Sequence, residues 1–212
     1  AELDGFRARL RGARELPKGL VDLIAAMPRD GHPMDALQAG VAALGMWEPR
    51  FRFGDEGDFE HAWIRLLAAT PCIVAAFDRL RAGKRPLDPD PSLDTAGNFL
   101  WQLTGQKPDP IAAQVLDCAL VLHADHEMNA STFAARVVFG TEADPYTSCS
   151  AGVGALTGPL HGGANERVLE SLESIGSIDN VDAWAKARFD EGGKIMGFGH
   201  RVYKVKDPRS HA

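Results

Sequence analysis

Apolar residues recur along this chain at the three- and four-residue spacing of amphipathic helices, and no stretch shows the alternation of a β-hairpin. The pattern therefore predicts an all-α fold. Helices are expected over residues 3–14, 18–27, 34–44, 59–82, 93–103, 110–125, 131–140, 145–156, 166–175 and 181–191.

Polar residues at the starts of these segments predict how the helices begin. Asp109-Pro110 and Asp144-Pro145 place a side-chain acceptor at the N-cap and a proline at the first helical position. Asp58 and Asn165 are expected to cap the helices that follow them, and Asn129 and Ser131 are both candidates to cap the helix over 131–140.

The apolar positions also predict what is buried. The segment after Asp109 is expected to bury a broad face, and the tryptophans and most phenylalanines and methionines are assigned to the core. Each of the three cysteines lies in an apolar helical run, where a buried thiol behaves as a small hydrophobe. The expected buried face consists of Val115, Leu116, Ala119, Leu120 and Leu122.

Charge narrows the classes of partner. The 212 residues carry a formal net charge of −6, which disfavours general binding to nucleic acid or to an anionic membrane. Residues 194–209 contain five basic side chains and one acid, a local charge of +4, so a small anionic ligand is favoured. With no signal peptide, no membrane-spanning run and an odd, scattered set of cysteines, we expect a cytoplasmic protein without disulfides.

Three histidines lie at breaks in the helical pattern and are candidates for acid/base chemistry. His126 lies in LHADHEMNAST, His161 in GPLHGGANE and His200 in GFGHRVYKVKDPR. Each motif taken alone also has an ordinary structural interpretation. His123 and His126 could cap or pack, or begin a metal site with no evident third ligand. His161 could lie in a solvated turn, and residues 197–209 could form a solvated basic loop.

Taken together and in this order, the three motifs resemble those of the citrate synthase family. That family is all-α, with a large helical domain and a smaller helical domain that closes over the substrates. The resemblance implies that residues 1–162 are part of the large domain and that residues 163–212 begin the small one. The chain starts with Ala and ends on an Asp-Pro helix-start signal, so we expect it to be an internal piece of a longer protein.

The resemblance implies a role for each motif residue. His161 would donate to the enolate of acetyl-CoA, and His200 would hydrogen-bond and protonate the oxaloacetate carbonyl. His126 and Arg209 would bind oxaloacetate. Lys204 would meet the phosphates of coenzyme A. The acetyl-CoA pocket would be lined by Lys194, Ile195, Met196, Gly197, Phe198 and Gly199.

The implied reaction is the condensation of acetyl-CoA, oxaloacetate and water to citrate and coenzyme A, the first step of the tricarboxylic acid cycle. It needs no metal and no cofactor, because acetyl-CoA is a substrate. The family works as a homodimer, and some bacterial members form hexamers. Apolar helices such as Ala36–Leu44 and Pro110–Leu122 could supply the interface.

Several alternatives stay open from the sequence. A 2-methylcitrate synthase would use propionyl-CoA, which differs by one methylene group. A helical scaffold that has lost catalysis and, less favoured, a metalloenzyme are the others. The family's catalytic aspartate and two further substrate arginines correspond to positions beyond residue 212. We therefore expect residues 1–212 alone to form no citrate.

Overall fold

The computed structural model describes residues 2–125, 127–196 and 205–207. Within these ranges the regular structure is helical and contains no strand, which confirms the predicted all-α class. Two short 3₁₀ turns cover Gly45–Trp47 and Ile178–Asn180. The α-helices of the described residues are α1 (Glu2–Gly12), α2 (Lys18–Ala25), α3 (Pro33–Leu44), α4 (Glu56–Arg81), α5 (Thr95–Thr104), α6 (Pro110–Leu122), α7 (Ala130–Phe139), α8 (Pro145–Leu156), α9 (Gly163–Ile175) and α10 (Val181–Asp190).

Three of the predicted N-caps are confirmed. Asp109 Oδ1 accepts from the backbone N–H groups of Ile111 and Ala112 at 2.9 and 3.0 Å. Asp144 caps α8 in the same way, and Asn129 Oδ1 accepts from Thr132 N at 2.8 Å at the start of α7. Each cap satisfies donors that a helix start leaves without an intrahelical partner.

Two other predicted caps are wrong. Helix α4 begins before Asp58, because Asp55 is its N-cap and accepts from Asp58 N at 3.0 Å. The Asp58 carboxylate is instead held by Arg52, whose Nε donates over 2.8 Å. Helix α9 begins at Gly163 with Gly162 at the N-cap position, so Asn165 lies within the helix rather than at its cap.

Helix α4 is the central element of the first part of the fold and packs against α1, α2, α3 and α5. Its buried side contains several alanines, which let neighbouring helices approach closely. At Gly40 of α3, an added Cβ would lie 2.7 Å from Cγ2 of Ile73, so a side chain at that position has no room. The core around this contact consists of Leu20, Ile24, Ala36, Val41, Leu44, Ala62, Leu66, Ala69, Ile73, Ala76, Phe77 and Tyr146.

The predicted burial of α6 is wrong. None of its residues is buried, and Val115 is 64% exposed and Leu120 44%. Cys118 on the same helix is exposed as well, whereas Cys72 is buried. Assigning all tryptophans to the core is also wrong, since Trp47 and Trp63 are more than 40% exposed. Helical periodicity identified the apolar face of α6 but not whether this chain covers it.

An ion-pair network joins the 3₁₀ segment, α4 and the chain just after α1. Arg65 Nε donates to Glu48 Oε1 over 2.6 Å, and the two side chains are only 10% and 8% exposed. The other Glu48 oxygen lies 2.9 Å from His61 Nε2. Arg65 Nη1 also donates to the carbonyl of Ala13. The buried carboxylate is thus shared by two donors, and Arg65 bridges it to the chain after α1.

Helix α1 itself has no buried residue and is attached mainly through arginines. Arg9 Nη1 pairs with Glu60 Oε1 over 2.7 Å, on the surface. Just after the helix, the buried Arg14 donates to the carbonyl of Leu93 over 2.9 Å. Arginine contacts therefore help to fix the first segment against the rest of the fold.

The chain divides into two compact units, residues 1–154 and residues 155–212. The domain boundary predicted between residues 162 and 163 stays a prediction. None of the described helices has both the length and the hydrophobicity needed to span a bilayer.

Replacing Glu48 with Gln is expected to lower the free energy of unfolding by about 3 kcal/mol, because it leaves the buried Arg65 charge uncompensated. Urea denaturation monitored by circular dichroism measures this change. The control is Glu60→Gln at the exposed pair with Arg9, which should lower the free energy of unfolding far less, because solvent screens that pair. Equal effects of the two substitutions would show that burial of the Glu48 pair does not matter.

Candidate functional site

The first predicted motif lies in the connection between α6 and α7. Helix α6 ends at Leu122, and His123 follows at its C-cap with Nδ1 donating to the carbonyl of Ala119 over 2.6 Å. Two residues further along the chain, Asp125 Oδ1 accepts a hydrogen bond from the backbone N–H of Glu127 at 3.0 Å. The capping role left open for His123 matches this geometry.

Glu127, directly after His126, has an unusual backbone conformation. Its φ is +54°, in the left-handed region that non-glycine residues seldom adopt. The turn is held by the Asp125 side chain and by a hydrogen bond from Asn129 N to Glu127 O at 3.1 Å. This strained position has no signal in the sequence, because Glu127 is neither a glycine nor another residue typical of turns. Strain of this kind is commonly found at functional sites.

His161 lies in the turn between α8 and α9 and is half-buried. Its backbone N–H donates to the Gly158 carbonyl over 3.0 Å, and its own carbonyl accepts from Ala164 N at 3.1 Å. Both backbone groups of His161 are thus hydrogen-bonded within the turn. This fixes where the side chain leaves the backbone.

Gly162 makes the tightest approach in this turn. A Cβ built at Gly162 would lie 2.9 Å from Cβ of Leu156 and closer still to the Leu156 carbonyl oxygen. Its φ and ψ, −62° and −32°, are ordinary helical values. The glycine is therefore required by the space available and not by its dihedral angles. At Gly163 an added Cβ would meet the Gly158 carbonyl at 3.3 Å, a much milder contact.

The third motif is described only at its edges. Helix α10 ends at Asp190, and Gly192 turns the chain with a φ of +66°. After it, Lys194 is exposed while Ile195 and Met196 are half-buried. The remaining predicted site residues lie outside the described residues: His126, Gly197, Phe198, Gly199, His200, Lys204 and Arg209. Their roles, and their predicted convergence with His161, stay predictions.

The described residues contain no group of three or more histidine, cysteine or acidic side chains arranged to hold a metal ion. Among the thiols, burial raises the pKa of Cys72 to about 11, so this cysteine is protonated at neutral pH. Its Sγ donates to the Ala68 carbonyl over 3.4 Å. Cys72 is therefore a packing residue and not a nucleophile.

An aromatic groove of about 590 Å³ lies in the first unit, at some distance along the chain from the three motifs. It contains none of the predicted site residues. A groove lined almost wholly by apolar groups offers nothing to polarise a carbonyl or to bind a carboxylate. Its aromatic lining consists of Phe6, Phe51, Phe53, Phe59, Trp63 and Phe139.

Comparison with known proteins gives consistent results. The family model for the C-terminal domain of citrate synthase matches residues 1–212. The citrate synthase of Synechocystis sp. is 50% identical over 210 residues, which is 99% of this chain and 53% of that protein. The 2-methylcitrate synthase of Mycobacterium tuberculosis is 39% identical over 212 residues, again 99% of this chain and 53% of the relative.

Solved structures show the same similarity. Citrate synthase from Pyrobaculum aerophilum superposes with a TM-score of 0.89 at 40% identity, covering 99% of this chain and 55% of that one. Citrate synthase from Thermoplasma acidophilum, solved as a ternary complex with carboxymethyl coenzyme A and oxaloacetate, gives 0.88 at 30% identity with the same coverage.

The chain spans about half the length of the curated relatives it matches. The family model nevertheless covers the chain from end to end, and the helical architecture agrees with the solved structures. The chain therefore belongs to the citrate synthase family.

Proposed function

We propose that the full-length protein containing this chain is a citrate synthase, which condenses acetyl-CoA with oxaloacetate and water to give citrate and coenzyme A. The observation that carries this proposal is the 50% identity to a citrate synthase over 99% of the chain. The described turn supports it, because it holds His161 between two helices with both backbone groups bonded. In this function the protein supplies the first step of the tricarboxylic acid cycle.

In the proposed reaction, histidines of this chain stabilise the charge that develops on the two substrates, and an aspartate of the full-length protein acts as the base. The aspartate carboxylate takes a proton from the acetyl methyl group, which puts negative charge on the thioester oxygen, and a pre-placed N–H donor lowers the energy of that enolate. His161 supplies this donor. The enolate carbon then attacks the oxaloacetate ketone, whose oxygen takes a proton from His200. Water finally cleaves the thioester bond and releases coenzyme A.

The remaining residues of the proposed site bind the substrates. Arg209 and His126 hold oxaloacetate, since a guanidinium binds a carboxylate through two parallel hydrogen bonds. Lys204 pairs with the phosphates of coenzyme A, and Lys194, Ile195 and Met196 begin the wall of its pocket. The half-buried state of Ile195 and Met196 supports a lining role. None of these roles requires a metal or a resident cofactor.

Replacing His161 with Ala should lower kcat by about 100-fold or more, because the enolate loses its hydrogen-bond donor. The KM for oxaloacetate should change little, since other residues bind that substrate. The measurement is the rate of free thiol release from acetyl-CoA by the full-length protein.

The matched control for this experiment is another histidine, outside the site. His32 caps α3 by accepting from Met34 N at 3.2 Å, and His32→Asn keeps an acceptor there, so it should retain full activity. Normal turnover by His161→Ala would refute the enolate role. Failure of the unsubstituted protein to form citrate or 2-methylcitrate would refute the proposed function as a whole.

A second candidate function is 2-methylcitrate synthesis, favoured by the 39% identity to the enzyme of Mycobacterium tuberculosis. The higher identity to a citrate synthase supports acetyl-CoA as the preferred substrate. One methylene in an apolar pocket discriminates by roughly 10- to 200-fold. We expect kcat/KM for acetyl-CoA to exceed that for propionyl-CoA by at least about tenfold. The opposite order would identify a 2-methylcitrate synthase.

We also propose that the protein is a homodimer in the cytoplasm. Of the two candidate interface helices, α3 uses Ala36, Val41 and Leu44 inside its own core, whereas α6 presents Ile111 and Val115 to solvent. Exposed apolar helix faces are typical of subunit interfaces. The three cysteines are free thiols, which suits a reducing compartment.

Val115→Glu should weaken the dimer, because an interface centred on α6 would then bury two uncompensated carboxylates around the twofold axis. Analytical ultracentrifugation of the full-length protein over a concentration series measures the dissociation constant. Gln114→Glu adds the same charge at the neighbouring position, which is also exposed, and serves as the control. An unchanged dimer in Val115→Glu would exclude α6 from the interface.

A further inference from the structure

Backbone hydrogen bonds close the turn that carries His161. His161 N and Gly163 N both donate to the Gly158 carbonyl, at 3.0 and 3.3 Å. On the other side, the Cα of Gly162 faces the last residue of α8, Leu156, with no room for a Cβ. The position of the His161 backbone relative to the end of α8 therefore depends on residue 162 having no side chain.

We propose that Gly162 is a positioning residue for His161: it sets the distance between the imidazole and the end of α8. The inference rests on the proposed function, in which His161 is the donor to the enolate. In this role Gly162 acts on the reaction through the residue before it. Because its dihedral angles are open to any residue, the restriction at this position comes from contact with Leu156.

A side chain at residue 162 has two ways to be accommodated, and both move His161. The turn can shift away from α8, or the last turn of α8 can unwind and release the Leu156 carbonyl. Either change displaces the His161 backbone. A displacement of about 1 Å at a catalytic group can cost on the order of 100-fold in rate.

The three glycines of this turn provide a graded test. An added Cβ would lie 3.6 Å from the nearest atom at Gly158, 3.3 Å at Gly163 and 2.9 Å or less at Gly162. Expressed in the full-length protein, Gly158→Ala should leave kcat within about twofold of the unsubstituted value. Gly163→Ala should lower it modestly, and Gly162→Ala by about 100-fold. The KM for oxaloacetate should stay unchanged throughout, which separates a displaced His161 from general loss of the site.

A double-mutant cycle distinguishes positioning from a purely structural role. If Gly162 acts through His161, then Gly162→Ala should lower kcat by no more than about twofold in a His161→Ala background. If it acts through general stability, the two decreases should multiply. Multiplying effects, or full activity of Gly162→Ala, would overturn the inference.

The cycle also works should Gly162→Ala fail to fold. In that case Gly163→Ala takes the place of Gly162→Ala in the cycle. The methyl group at residue 163 would press on the Gly158 carbonyl, which accepts a hydrogen bond from His161 N. The decrease in kcat caused by Gly163→Ala must likewise disappear in the His161→Ala background, and a decrease that persists overturns the inference. Activity of the unsubstituted protein is measured first, so failure of the proposed function is seen separately.

Discussion

The close approach of α3 to α4 is the packing constraint on which the first unit depends. Gly40 leaves space for Ile73, and alanines at 62, 69 and 76 keep the buried side of α4 thin enough for neighbouring helices to approach it. Interiors packed this tightly tolerate little change in side-chain volume. Helices α2 and α5 pack on the same α4, so a larger residue at one of these positions would disturb several contacts at once.

Local features of this fold were predictable from sequence, whereas features set by distant contacts were not. The caps at Asp109, Asn129 and Asp144 depend on a donor two or three residues away, and the sequence contains both partners of each bond. The prediction for Asp58 is wrong although the true cap, Asp55, lies only three residues earlier, because both positions carry the same carboxylate and the contact of Arg52 with Asp58 separates them. The Glu48–Arg65 pair joins residues 17 apart and left no periodic signal.

The exposure of α6 shows a second limit of prediction from sequence. Its apolar positions were identified correctly, but hydrophobicity states only that a surface favours burial. It does not state whether the same chain, another part of a longer chain or a second subunit provides the cover. Prediction of the candidate site from sequence has a similar limit. Motifs located His161, yet the contact between Gly162 and Leu156 depends on the path of the turn between them, which no motif states.

The attachment of α1 has a consequence for how this protein responds to its solvent. Apolar contacts between α2, α3 and α4 are insensitive to ordinary salt, but the exposed pair of Arg9 with Glu60 is weakened once the Debye length falls to about 10 Å or less. Since α1 has no buried residue and its Phe6 is only partly covered in the aromatic groove, apolar contact compensates little for that loss. Ionic strength therefore acts selectively on the first helix, which can loosen in concentrated electrolyte while the helices beneath it keep their packing.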